Sequence, residues 1–81
     1  MSNIKKYNNS FCETFEVEED VLKELEYQSI QAWDSVGHMA LMASLEDSFD
    51  IEMEIDDIID FSSYKVGMKV LKKYGVTIDE K

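Results

Sequence analysis

The 81-residue chain has no proline, three glycines and no stretch in which apolar and polar residues alternate beyond a few positions. Without a two-residue period and without turn residues, a β-sandwich or barrel has neither its strands nor its corners, and helices remain. The spacing predicts a first helix from about Ser2 to Phe15, with Ile4, Tyr7, Phe11 and Phe15 on one stripe. Glu16 to Trp33 forms a long connection holding a possible short turn at Glu18 to Leu22. Its anchors are Val17, Val21, Leu22, Leu25, Tyr27, Ile30 and Trp33. A second helix runs from about Ser35 to Phe49. At roughly 100° per residue, His38, Leu41, Met42, Leu45 and Phe49 share its core face. Ile55 to Asp60 suits a short third helix. Ser62 or Ser63 can cap a fourth that runs to about Tyr74, with Val66, Val70, Leu71 and Tyr74 inward and Lys65, Lys69, Lys72 and Lys73 outward. Gly75 stops it as a C′ residue. The expected fold is all-α, one domain over residues 1–81: a small four-helix bundle of three longer helices and one short helix, with a long loop between helices one and two.

Charge narrows the function classes. Eighteen acidic residues against eight basic ones give a net charge of −10, and every cation is a lysine. A duplex-binding protein needs clustered cations to displace phosphate counterions, so nucleic acid is excluded as an expected partner. The longest purely apolar run, Met39 to Ala43, is far shorter than a membrane span, and MSNIKKYNNS has no apolar signal core. The expectation is a cytoplasmic monomer without membrane insertion. The single cysteine, Cys12, cannot pair within the chain and reads as a buried, inert thiol. Like charge repelling itself across so small a domain predicts stability that rises with ionic strength.

The side of helix two opposite its core face carries Val36, Ala40, Ala43 and Asp47. Three of the four are apolar where a solitary helix shows charge, which marks a contact surface. At the head of the same helix stands Trp33-Asp34-Ser35-Val36-Gly37-His38-Met39, and downstream of it Leu41-Met42-Ala43-Ser44-Leu45-Glu46-Asp47-Ser48-Phe49-Asp50-Ile51-Glu52-Met53. Taken alone, an aspartate and a serine at a helix start are a capping pattern. Together with the downstream leucines, Leu45-Glu46 and Phe49, the segment resembles the acyl carrier protein family, without a gap from Trp33 to about Ser63.

The resemblance implies a bundle of acyl-carrier type that is not itself an enzyme. Ser35 matches the serine that carries a 4′-phosphopantetheine arm, derived from coenzyme A and attached by a phosphopantetheinyl transferase. Asp34 matches the aspartate that the transferase engages. The arm's thiol then holds an acyl or aminoacyl group as a thioester. A phosphodiester at a helix N-terminus is physically compatible with the free N–H groups there. The implied partners are that transferase, an acyl- or aminoacyl-loading synthetase, and downstream transferases with basic docking patches. The positions matching partner contacts are Val36, Gly37, Ala40, Ala43, Glu46, Asp47 and Asp56. Glu46 to Asp60 holds eight carboxylates and no cation, a field that steers encounter with basic surfaces.

Gly37 and Ala40 depart from the acidic residues common in carriers of general fatty acid synthesis, which points to a specialised pathway. Gly37 in a first helical turn costs roughly 0.5–1 kcal/mol against alanine. It reflects either close approach of an arm or partner, or tolerance. Two rivals stand beside the carrier: an acidic scaffold module of the same fold without the arm, and a small hydrolase built on Ser35, His38 and Asp34. The hydrolase lacks the Gly-x-Ser-x-Gly elbow, because Trp33 occupies the first glycine position. His38 is expected at the top of the core with one nitrogen hydrogen-bonded. The acids from Asp50 to Asp60 lack the EF-hand spacing, so no metal site is expected. The depth of any cargo pocket depends on Met39, Met42, Met53, Phe61 and Met68.

Overall fold

A computed structural model describes residues 2–78. Among them the chain forms four α-helices, α1 (Asn3–Phe15), α2 (Ser35–Phe49), α3 (Ile55–Asp60) and α4 (Tyr64–Lys72), and a 3₁₀ helix at Glu19–Glu24. The class is all-α. An isolated antiparallel bridge, Glu26 with Ser63, ties the long connection to the start of α4.

Side-chain caps set the starts of α1, α2 and α4. Ser2 lies just outside α1 and its hydroxyl accepts from the Lys5 N–H, so the expected start at Ser2 moves by one residue. Asp34 caps α2 and Ser63, rather than Ser62, caps α4. The regular part of α4 ends at Lys72, and the turn beyond it closes on Gly75 at φ 80°. There the Val76 N–H bonds to the Leu71 carbonyl and the Gly75 N–H to that of Lys72. This is Schellman closure around a left-handed residue, which glycine adopts without strain. The expected turn at Glu18 to Leu22 is the 3₁₀ helix, shifted by one to two residues.

α1 packs on α2, the 3₁₀ helix lies against α1 and α4, and α3 leans on α4. The centre is aromatic. Tyr7, Phe11, Phe15, Trp33, Phe61 and Tyr64 are all buried, with ring centroids 5.0–6.4 Å apart in the contacting pairs. Burying each such side chain contributes about 1.5–3 kcal/mol relative to exposure. Leu22, Leu25, Leu41, Met42, Leu45, Met53, Val70, Leu71 and Val76 complete the core. Tyr7 donates its hydroxyl to the Tyr64 carbonyl at 2.5 Å, and burial pushes its phenol well above the ordinary range.

Four expected core members sit at its margin: Ile4, Phe49, Val66 and Tyr74 are half-buried, each lying at an end of its stripe. Of the connection's anchors, Val21 and Tyr27 are exposed. Cys12 is half-buried rather than buried; desolvation and the carboxylates of Glu19, Glu13 and Glu18 push its thiol up, so the protonated form is favoured.

Candidate functional site

Ser35 is the first residue of α2 and its side chain is exposed. The Asp34 carboxylate turns inward to the helix, its Oδ1 accepting the Gly37 N–H at 2.8 Å. That bond fixes the first turn and leaves the serine hydroxyl outside it. Ser35 Oγ shares a hydrogen bond of 3.2 Å with the Tyr27 hydroxyl. Beside the pair opens a groove of about 380 Å³ between the head of α2 and the end of α3. Met39, Ile58, Ile59 and Phe61 supply its apolar walls, and Tyr27, Ser35 and Ser62 its polar rim.

His38 forms part of the groove's floor and is committed on both nitrogens. The Trp33 indole N–H donates to Nδ1 at 2.9 Å, and Nε2 lies 2.7 Å from the Ile58 carbonyl oxygen. An indole nitrogen only donates, so Nδ1 is the acceptor and the proton resides on Nε2, which donates to Ile58. The imidazole stacks on Trp33 and meets Tyr27 and Phe61 edge-on. One hydrogen bond was expected of this residue; there are two, the first tying α2 to the connection before it and the second tying α2 to α3. Neither nitrogen is turned to Ser35, so the geometry gives the serine no imidazole base.

The expected contact positions divide. Val36 is 79% exposed, and Ala40, Ala43, Asp47 and Asp56 also face solvent. Gly37 does not belong with them. A Cβ there would stand 1.9 Å from the Ala32 carbonyl oxygen and 3.3 Å from the Phe15 ring. The close approach that requires glycine is therefore made by the chain's own backbone, neither by an arm nor by a partner, and mere tolerance is excluded. Glu46 is half-buried, and its Oε2 accepts the Met53 N–H at 2.7 Å. Its carboxylate holds the turn after α2.

Asp57 likewise leaves the solvated acidic face. It takes the Lys73 ammonium at 3.0 Å and the Tyr74 hydroxyl, joining α3 to the end of α4. Sequence reasoning missed Tyr27 as a neighbour of Ser35, and it missed the exposed isoleucines of α3, Ile55 at 74% and Ile59 at 70%. The four-residue spacing of those isoleucines was readable; Tyr27 sits in an irregular loop that carries no period. Met39, expected to bear on pocket depth, is 55% exposed and lines the groove's edge.

Among the described residues no group of three His, Cys, Asp or Glu side chains is placed to hold a metal ion, and no helix is long and apolar enough to cross a membrane. Comparison with the models of known protein families returns no match, nor does comparison with curated proteins or with solved structures. What the site can do is set by its own chemistry. It presents an exposed primary hydroxyl on a capped helix end, hydrogen-bonded to a phenol beside an apolar groove.

Proposed function

We propose that the chain is a carrier of acyl-carrier type, with four α-helices and a long α1–α2 connection, that bears a 4′-phosphopantetheine arm on Ser35. The observation that carries this reading is the placement of Ser35. An Asp-Ser pair opens α2, the aspartate caps the helix, and the serine hydroxyl projects at the mouth of a groove. The residues fit the arm: the hydroxyl accepts a phosphoryl group, and the groove offers apolar walls to the pantetheine chain beyond the phosphate. When bound, the arm supplies a terminal thiol that holds an acyl or aminoacyl group as a thioester.

Each protein group then has a role. Asp34 fixes the first turn of α2, which keeps Ser35 exposed to a transferase. Val36, Ala40, Ala43, Met39 and Ile59 give that transferase and later partners an apolar surface, and Asp47 and Asp56 contribute charge that steers basic docking patches. In the transfer, the Ser35 oxygen bonds to phosphorus of the coenzyme A pyrophosphate, the nucleotide half leaves, and the hydroxyl proton passes to the transferase.

Intact mass after incubation with coenzyme A, magnesium and a broad-specificity phosphopantetheinyl transferase tests the reading. A gain of one phosphopantetheine in the native protein and none in Ser35→Ala is expected, with the variant's helicity unchanged. No gain with several transferases overturns it and favours the scaffold module.

A further inference from the structure

The Tyr27–Ser35 hydrogen bond joins two exposed side chains at the mouth of the groove rather than in the core. Yet Tyr27 is held from several sides. Its N–H donates to the Ser62 carbonyl at 2.8 Å, and the neighbouring Glu26 forms the bridge with Ser63. Gln28, next in the chain, lies in the left-handed region at φ 67° and donates its N–H to the Trp33 carbonyl at 2.9 Å. The ring meets His38 edge-on at 5.4 Å, and His38 is itself fixed by Trp33 and Ile58. A loop residue with this much support has its hydroxyl placed before anything is attached to Ser35.

We propose that Tyr27 is the positioning residue for the phosphate joining the arm to Ser35: its phenol donates to a phosphate oxygen, and its ring turns the arm into the groove between α2 and α3. The inference rests on the carrier reading. Esterification removes the proton of Ser35, so of the two hydroxyls now in contact the phenol alone keeps an O–H to give. The phosphodiester is anionic, and no lysine or arginine occurs between Lys23 and Lys65. Asp34 stands next to Ser35 and already occupies the Gly37 N–H. With no cation in this stretch of chain, the phenol is the side-chain donor already in contact with Ser35, and a phenol donating to an anionic oxygen makes a stronger, shorter bond than it makes to a serine. With the phosphate held on the Tyr27 side, the chain beyond it starts over Met39 and Ile59.

Tyr27→Phe removes the hydroxyl and keeps the ring. The native protein and the variant are converted to the arm-bearing form, confirmed by intact mass, and compared by ³¹P NMR and by NOEs from the arm's geminal methyls. The expected result is a displaced ³¹P resonance in the variant, with a line narrowed roughly twofold as the arm gains fast motion. NOEs to Met39 and Ile59, present in the native protein, are lost, while the melting temperature stays the same. Identical ³¹P shift, linewidth and NOEs overturn the role of Tyr27 and leave the carrier reading standing. Failure of the native protein to gain the arm overturns both.

Discussion

At Gly37, two physical effects assign opposite signs to one substitution. Helix propensity alone makes Gly37→Ala stabilising by about 0.5–1 kcal/mol. The Cβ, however, would stand 1.9 Å from the Ala32 carbonyl oxygen, a backbone atom that cannot rotate aside. Forcing that contact costs about 1–3 kcal/mol, so the overlap wins. Gly37→Ala is expected to lower the melting temperature by roughly 4–8 °C for each net kcal/mol lost; a rise on thermal denaturation would sink the packing account. Glu46 gives a second case. Glu46→Ala should cost about 1–2 kcal/mol by stranding the Met53 N–H, while Glu46→Gln, which keeps an acceptor oxygen, should cost less. An Ala variant that melts like the native protein would return Glu46 to the solvated face. Asp34 and Ser35 were legible because their signal is contiguous in sequence. The reasons for Gly37 and Glu46 were not, since each depends on where a loop's backbone comes to rest.

At the scale of the element, α2 was readable on its buried side. His38, Leu41, Met42 and Leu45 fall on the core as their spacing requires. Its other side is apolar at Val36, Met39, Ala40 and Ala43, and no core lies there to explain it. α3 is the sharper case, six residues long with none buried, its Ile55 and Ile59 turned to solvent while Ile58 is half-buried. A period of 3.6 identifies a face but says nothing of what covers it, so the sequence placed the apolar contact strip on α2 and gave α3 only the acidic contact Asp56, without its exposed isoleucines. Val36→Asp is expected to change stability by no more than about 0.5 kcal/mol, the usual range at an exposed position. The same change should weaken modification by a phosphopantetheinyl transferase several-fold, read as a raised KM. Parallel losses of melting temperature and of modification would place Val36 in the core instead.

Over the whole molecule the governing fact is the charge of −10. Repulsion among surface carboxylates extends over the Debye length, about 30 Å at 0.01 M salt and 8 Å at 0.15 M, so added salt should raise the melting temperature. A fall on a salt series would mean that local ion pairs outweigh the net field. The pair that could do so is Asp57 with Lys73, reinforced by the Tyr74 hydroxyl, and it fastens α3, which has no buried residue of its own, to the end of α4. The Tyr74 hydrogen bond and then the Lys73 ammonium hold the Asp57 carboxyl below the usual carboxylate range. Its stabilisation is therefore complete above the ordinary value near 4 and is lost as pH falls through the depressed one. Hydrogen bonding to Asp57 raises Lys73 and Tyr74 above their ordinary values near 10, so their share is present below those values and is lost as pH rises past the raised ones. Between about pH 5 and 9 the network is fully formed. The difference in melting temperature between the native protein and Asp57→Asn should be flat across that window and shrink as pH falls from about 4 towards the depressed value at which the native carboxyl takes its proton. Taking the difference cancels the general relief of repulsion that acid gives both proteins. A gap that persists unchanged to pH 3, or none at pH 7, would show that α3 is held by something other than this charge.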